Sequence, residues 1–196
     1  MENITKIGVM GGTFDPVHTA HLAIAELAVE QLKLEKLLFI PAWIAPHKID
    51  RKNKTARADH RYNMLKIATR DNDKFDVSDV ELNREGTSYT IDTLEQIRKE
   101  YSGKVKLFML IGSDNYLTFN TWRAPEEIHG LAKVVVYNRP GSSIPEVEQP
   151  FLMLKGPKMG ITSTWIRDRI SKNKSIHYFL PDEVRKYIYE QKLYNN

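Results

Sequence analysis

The stretch GVMGGTFDPVHTAHLAIAELAVEQL, residues 8–32, decides how the chain is read. It opens as an apolar strand and turns through Gly11-Gly12-Thr13-Phe14-Asp15-Pro16. It then carries Leu22, Ala25, Val29 and Leu32 at the spacing of a helix. Two glycines after a strand let backbone come close to a ligand. The helix that follows offers N–H groups and the positive end of its dipole, which together suit an anion. No Gly-Lys-Ser/Thr follows, so the turn is not a P-loop, and without G-x-G-x-x-G it is not a dinucleotide fingerprint. Its distinguishing feature is the pair His18 and His21, which helical i, i+3 spacing puts on one side of the turn.

Outward from this stretch, strand and helix patterns alternate. Residues 4–10 predict a first strand, KLLFIPAW (36–43) a second that Pro41 closes, and KVKLFMLIG (104–112) a central one. AKVVVYNRPG and FLMLKGP predict two more, and FDVSDVELN (75–83) a weaker extended segment. Helices are expected over 59–71 with Asp59 as N-cap, over 90–101 with Thr90 as cap, and in APEEIHGL with Pro125 in its first turn. STWIRDRISKN should open on Ser163 or Thr164, and a last helix follows Pro181-Asp182. The alternation predicts an α/β parallel sheet. Ligands of such sheets sit at the carboxyl ends of strands. Gly11-Gly12, Gly112 and Asn138-Arg139 all follow strands, so they are expected to line one edge.

The 196 residues suit a single domain, 1–196, with residues 160–196 expected as a small C-terminal helical subdomain. Apolar residues make up 41 %, enough for a sizeable core, and no apolar run is long enough to span a membrane. The N-terminus runs directly into a strand without the pattern of a secretory signal. With no cysteine, disulfides, thiolate catalysis and cysteine-bound zinc are excluded, which fits a cytoplasmic location. Net charge is +4; the one basic run, 47–61, reads as a solvated loop rather than a nucleic-acid patch, and a mild positive balance suits an anionic small molecule.

Two imidazoles on one side of the turn can both donate to phosphate oxygens. Phosphoryl and nucleotidyl transfer need positioning and charge stabilisation more than a covalent nucleophile, so the pair suits that chemistry. Taken alone, His18 and His21 would serve equally as structural caps or as two ligands of a metal, although no third ligand stands nearby. The surrounding residues weigh against those readings. GGTFDPVHTAH resembles the signature of the HxGH nucleotidyltransferase superfamily, with Ala20 where glycine is usual. GITSTWIRDRI, 160–170, resembles the I-S-S-T-x-I-R segment of its adenylyl-transferring members. The resemblance implies a Rossmann-like parallel sheet with helices on both faces. It also implies ATP held by Gly11, Gly12, Thr13, Phe14, Ser163 and Thr164, and developing charge stabilised by His18, His21 and Arg167.

The middle of the chain narrows the resemblance. PHK (46–48), REGTSYTIDTL (84–94) and LIGSDNYLTFNTW (110–122) are together similar to the bacterial nicotinate mononucleotide adenylyltransferases, and the likeness runs in order from residue 7 to 167. It implies transfer of the adenylyl group of ATP to nicotinate mononucleotide, with Mg²⁺ carried by the ATP phosphates and no metal ligands from the protein. Trp122 offers a flat face on which a pyridinium ring can stack. Gly112 lets backbone approach, Asp114 can accept from ribose hydroxyls, and Lys48 can pair with a phosphate. In the family, the turn Thr87-Ser88-Tyr89 contacts the nicotinate carboxylate through backbone N–H groups. Both partners implied are small molecules, with no nucleic acid and no membrane; a homodimer is compatible. Two other readings stand beside this one: an enzyme preferring nicotinamide mononucleotide, and a non-catalytic nucleotide-binding regulator on the same fold.

Overall fold

The computed structural model describes residues 5–44, 55–102, 104–142 and 144–195. Strand β1 (Thr5–Gly12) leads through the histidine turn into α1 (Thr19–Leu32), and β2 (Lys36–Pro41) follows. Next come α2 (Ala58–Thr69), β3 (Phe75–Val77), α3 (Val80–Arg84) and α4 (Thr90–Glu100). The second half holds β4 (Val105–Gly112), α5 (Ser113–Tyr116), a 3-10 turn at Phe119–Thr121, α6 (Pro125–Leu131), β5 (Ala132–Tyr137), β6 (Leu152–Leu154), α7 (Ser163–Ser171) and α8 (Asp182–Glu190).

The strands form one six-stranded sheet in the order β3-β2-β1-β4-β5-β6, parallel at every pairing. The chain winds outward from β1 to β3, then returns to lay β4 against the other side of β1. This reversal opens a crevice at the carboxyl ends of β1 and β4, where ligands of doubly wound sheets bind. In register, Gly12 stands beside Pro41, and Gly112 beside Tyr137.

Alternate residues of the central strands feed two cores, as the period of two requires. Met10, Leu37, Phe39, Phe108, Leu110, Val135 and Tyr137 face one side, buried with Ile24 and Ala28 of α1, Met64 of α2, Ile166 of α7 and Ile188 of α8. Ile7, Val9, Leu38, Ile40, Leu107, Met109, Val134 and Val136 face the other, against Ile91 and Leu94 of α4 and Ile128 of α6. Helices therefore cover both faces. The buried residues of α7 and α8, within the segment expected as a helical subdomain, belong to the same core as α1 and α2.

Three local expectations are corrected. Helix α2 starts one residue before Asp59: Arg57 is the N-cap, and Asp59 sits in the first turn, paired with Arg57 at 3.2 Å. Thr90 is the first helical residue of α4, and Tyr89 takes the cap position. Residues 75–83 are not one extended segment. The pairing of β3 ends where the Ser78 N–H donates to Phe39 O at 3.0 Å, and Asp79 then caps the short α3, its carbonyl accepting from Asn83 N–H at 2.9 Å. Short polar side chains at Asp76 and Ser78 give the backbone local turn partners that compete with the ladder.

Candidate active site

A cavity of about 930 Å³ opens at the carboxyl edge of the sheet. Gly11, Gly12, Thr13, Phe14, His18 and His21 reach it from the first βα turn, and Ser163, Thr164 and Arg167 from α7. Gly112, Asp114 and Trp122 reach it from beyond β4, and Ser88 and Tyr89 from the turn before α4. Thr87 is not among its lining residues; it forms a bridge with Ile44 instead. Lys48 lies outside the described residues.

The histidine turn is strained where it meets the cavity. Phe14 has φ +49°, a left-handed conformation that costs a non-glycine residue of order 1 kcal/mol or more. Burial of its ring in the core, edge-on to Phe39 at 5.8 Å, holds it there. The Asp15–Pro16 peptide is cis. His18 is the N-cap of α1 and its N–H donates to Nδ1 of His21 at 3.3 Å. As an acceptor, that Nδ1 carries no proton, so the His21 proton sits on Nε2, the atom that can donate to an anion. The two imidazoles stack, and the Phe14 ring meets His21 edge-on with centroids 5.0 Å apart. Burial, helped by the positive charge of Arg139, pushes the His18 imidazole down to about 3, so it is neutral at working pH. Ala20 occupies the second residue of α1 in ordinary helical backbone and is buried, so the turn accommodates alanine at this position.

Helix α7 presents its N-terminus to the same space, with a cap other than expected. Thr162 is the N-cap, its Oγ1 accepting from Trp165 N–H at 3.2 Å. Ser163 Oγ instead donates to the carbonyl of Pro16 at 2.9 Å and ties α7 to the histidine turn. The N–H groups of Ser163 and Thr164 precede the first intrahelical bond, which Ile166 makes to Thr162 O. Arg167 Nη1 donates to the Asp15 carbonyl at 2.6 Å and lies 3.5 Å from its carboxylate, while Nη2 donates to Thr164 Oγ1 at 3.3 Å. The guanidinium is thus held at the cavity wall rather than out on a solvated face.

The opposite wall starts from the end of β4. A Cβ at Gly112 would run into Asp114 Oδ1 and would stand 2.9 Å from Arg139 Nε, so a larger residue there has to displace this pair. Arg139 Nη1 donates to Asp114 Oδ2 at 3.0 Å and Nη2 to the Tyr137 hydroxyl at 2.9 Å. Asp114 does not cap α5; that position belongs to Gly112. Trp122 packs its ring against Phe119 with centroids 5.4 Å apart and keeps part of its surface toward the cavity.

At the turn Thr87-Ser88-Tyr89 the expected donors differ in part. The N–H of Ser88 donates to Ile44 O at 2.9 Å, and its hydroxyl oxygen accepts from Trp43 N–H at 3.0 Å, so the Ser88 backbone donor is engaged within the protein. At the start of α4 Thr90 lines the cavity, and Thr93 N–H makes the first intrahelical bond, to Tyr89 O, so the N–H groups ahead of it have no partner within the helix. Behind this turn Glu81 is buried, accepts from Thr93 Oγ1 at 2.6 Å, and has its carboxyl pushed up by burial against the opposing bonds from Thr93 and Ser88.

Several residues that shape the site are not singled out by the sequence. Asp15 is only 2 % exposed; its Oδ1 accepts from Ala56 N–H at 3.0 Å and from the Tyr194 hydroxyl at 2.7 Å. Arg61, also 2 % exposed, donates to the carbonyls of Thr13 at 2.9 Å and Ala56 at 3.1 Å, which braces the glycine turn from below. Asp15 has a signal in the Asp-Pro dipeptide. Arg61, within α2, and Tyr194, beyond the end of α8, have none.

Residues 9–169 match the model of the cytidylyltransferase-like family. A protein of Thermoanaerobacter sp. (strain X514) named "Probable nicotinate-nucleotide adenylyltransferase" is 38 % identical, with 99 % of this chain and 96 % of that protein aligned. A protein of the same name from Thermus thermophilus is 39 % identical over 96 % of this chain and 99 % of its own. Among solved structures, Plasmodium falciparum nicotinic acid mononucleotide adenylyltransferase complexed with NaAD superposes with a TM-score of 0.79, covering 97 % of both chains. At 19 % identity that likeness speaks for the fold. With a family model spanning most of the chain and relatives aligned almost end to end, the protein belongs to the cytidylyltransferase-like family, within its nicotinate-nucleotide adenylyltransferases.

Proposed function

We propose that the protein transfers the adenylyl group of ATP to nicotinate mononucleotide, forming nicotinate adenine dinucleotide and pyrophosphate. One observation carries this reading: two phosphate-type helix starts, at His18 and at Ser163, open into a single cavity whose far wall holds Trp122 and the start of α4. The first two suit a triphosphate and the second two a negatively substituted pyridinium ring. Relatives bearing the adenylyltransferase name, and the P. falciparum structure holding the dinucleotide product, support it.

In the proposed step a phosphate oxygen of the mononucleotide attacks the α-phosphorus of ATP, and the bond from that phosphorus to the β-bridging oxygen breaks in line. The Gly11-Gly12 turn and the N–H groups of Ser163 and Thr164 hold the triphosphate. His21 donates from Nε2, and His18, being neutral, contributes a hydrogen bond without changing charge. Arg167 carries the permanent positive charge that stabilises the departing pyrophosphate. Mg²⁺ fits as a companion of the nucleotide. The phosphate end of the cavity offers N–H and cationic donors, and the nearby Asp15 carboxylate is held by Tyr194, Ala56 and Arg167. Among the described residues no three His, Asp or Glu side chains gather into a metal cage. Held by the nucleotide rather than by protein ligands, Mg²⁺ would supply charge neutralisation to the triphosphate.

The test is a product assay offering Mg²⁺-ATP with nicotinate mononucleotide, nicotinamide mononucleotide and 4′-phosphopantetheine in parallel. The expected result is highest kcat/KM for nicotinate mononucleotide, with stoichiometric pyrophosphate. Better turnover of either other acceptor overturns the assignment.

A further inference from the structure

The C-terminal end of the chain reaches the catalytic turn. Tyr194 lies past α8, in left-handed backbone at φ +65°, and its hydroxyl donates to Asp15 Oδ1 at 2.7 Å across 179 residues of sequence. Asp15 is almost fully buried, so this is an interior hydrogen bond to a carboxylate, the stronger charge-assisted kind. The same Oδ1 accepts from Ala56 N–H at 3.0 Å, and these two donors fix the plane of the carboxylate. Oδ2 is buried without a hydrogen bond, and its near neighbour is Arg167 Nη1 at 3.5 Å. Asp15 also receives Arg167 Nη1 on its carbonyl at 2.6 Å, so one residue holds the guanidinium by two atoms.

Burial and the Asp15 charge push the phenol far above its usual range, so Tyr194 remains a proton donor to Asp15 throughout the working pH range. Beside it, Leu193 packs on the core. Its N–H bonds to Ile188 O at 3.0 Å, so the tail is anchored to the end of α8 independently of the tyrosine hydroxyl.

We propose that Tyr194 is a positioning residue for adenylyl transfer: its hydroxyl orients the Asp15 carboxylate, and Asp15 holds Arg167 in place against the triphosphate. The proposal rests on the adenylyltransferase reading of the cavity. Removing the hydroxyl leaves Asp15 with one donor and lets its carboxylate rotate, which slackens the grip on Arg167. The phosphate end then suffers, while the acceptor wall formed by Trp122 and α4 is untouched.

The experiment compares the parent, Tyr194→Phe, Arg167→Lys, the double variant, and Leu193→Ala as a packing control. kcat, both KM values, thermal midpoint and the affinity for a non-hydrolysable ATP analogue by calorimetry are measured for each. Tyr194→Phe is expected to lower kcat/KM for ATP about tenfold, the worth of one charge-assisted hydrogen bond, with KM for nicotinate mononucleotide within about twofold of the parent. In the Arg167→Lys background the same change is expected to cost less than about twofold, because the two act through one contact. Leu193→Ala is expected to lower the midpoint more than Tyr194→Phe and activity less. Full activity in Tyr194→Phe, a loss that adds to that of Arg167→Lys, or a loss that tracks the midpoint across both tail variants overturns the proposal. If the parent forms no dinucleotide, the functional reading fails. The positioning claim is then decided by ATP-analogue affinity, which must fall in Tyr194→Phe and not fall further in the double variant.

Discussion

The imidazoles of His18 and His21 stack 3.7 Å apart, with their planes 21° from parallel. Two rings so close do not both carry charge comfortably, and it is His18, buried at 4 % exposure, that is held neutral with its titration lowered from 6.5 to about 3. The sign of the consequence follows from proton counting. Between pH 6.5 and 3 the unfolded chain binds a proton at this residue that the folded chain refuses, so stability falls as the pH drops through that window. From pH 7 to pH 5 the loss from His18 alone is about 2 kcal/mol, at 1.36 kcal/mol per unit below the unfolded value. Urea titrations at the two pH values check this: His18→Gln is expected to flatten the pH dependence by roughly that amount, and an unchanged slope would refute a neutral buried His18.

His21 should behave differently on mutation. Its Nδ1 accepts from the His18 N–H, and its Nε2–H is the group aimed at transferring phosphate in the proposed mechanism. His21→Ala removes one preorganised donor, which costs on the order of 10²–10³ in kcat. The capping contact is part of the same residue, so some stability goes with it, about 1 kcal/mol. Equal losses of kcat and of folded fraction at the assay temperature would leave His21 as a cap only.

The elements around this site are legible in sequence to very different degrees. Strands β1, β4 and β5 stand out because strands buried on both faces read as unbroken apolar runs, and each ends at a residue that lines the cavity or borders it. Strand β3 pairs over only three residues, so it reads only as the weaker extended segment at 75–83, whose end the pattern does not mark. The start of α7 is ambiguous by two residues because Thr162, Ser163 and Thr164 offer the same cap chemistry. Only the extended backbone at Thr162, φ −130° and ψ 149°, selects among them. The contacts that tune the site, Arg139 with Asp114 and Tyr194 with Asp15, join residues 25 and 179 apart, and no spacing rule announces such pairs. Nor does REGTSYT reveal that the Ser88 N–H belongs to Ile44, since that bond depends on where the end of β2 lies.

Gly112 gives a prediction that separates site geometry from core packing. A methyl group there meets Asp114 and the side-chain end of Arg139, both flexible and partly solvated, rather than backbone. Gly112→Ala is therefore expected to fold with a modest change in midpoint, while the Asp114–Arg139 pair is pushed apart. KM for nicotinate mononucleotide is expected to rise about tenfold, the loss of one hydrogen bond to a charged group. Unchanged steady-state constants would mean that Asp114 plays no part in binding.

The choice between nicotinate and nicotinamide follows from where the donors lie. With the Ser88 N–H engaged, the cavity faces the first turn of α4, whose N–H groups and dipole favour an anion. Glu81, the buried carboxylate behind this turn, already accepts from Thr93 and Ser88, so it is not set to receive an amide NH₂. An amide placed here turns donors toward donors, at about 1–3 kcal/mol for each buried group left unpaired. The expected preference for the acid is roughly 10²-fold in kcat/KM. In the proposed binding mode Trp122 would stack on either ring and take no part in the discrimination, so Trp122→Ala is expected to raise KM for both mononucleotides and leave their ratio within about twofold, since stacking would contribute a similar ~1 kcal/mol to each. Thr93→Val, in contrast, frees Glu81 Oε1 and is expected to narrow the ratio. Competition assays with both mononucleotides present decide the matter: a ratio that collapses in Trp122→Ala and holds in Thr93→Val would move the source of selectivity from the start of α4 to the tryptophan wall.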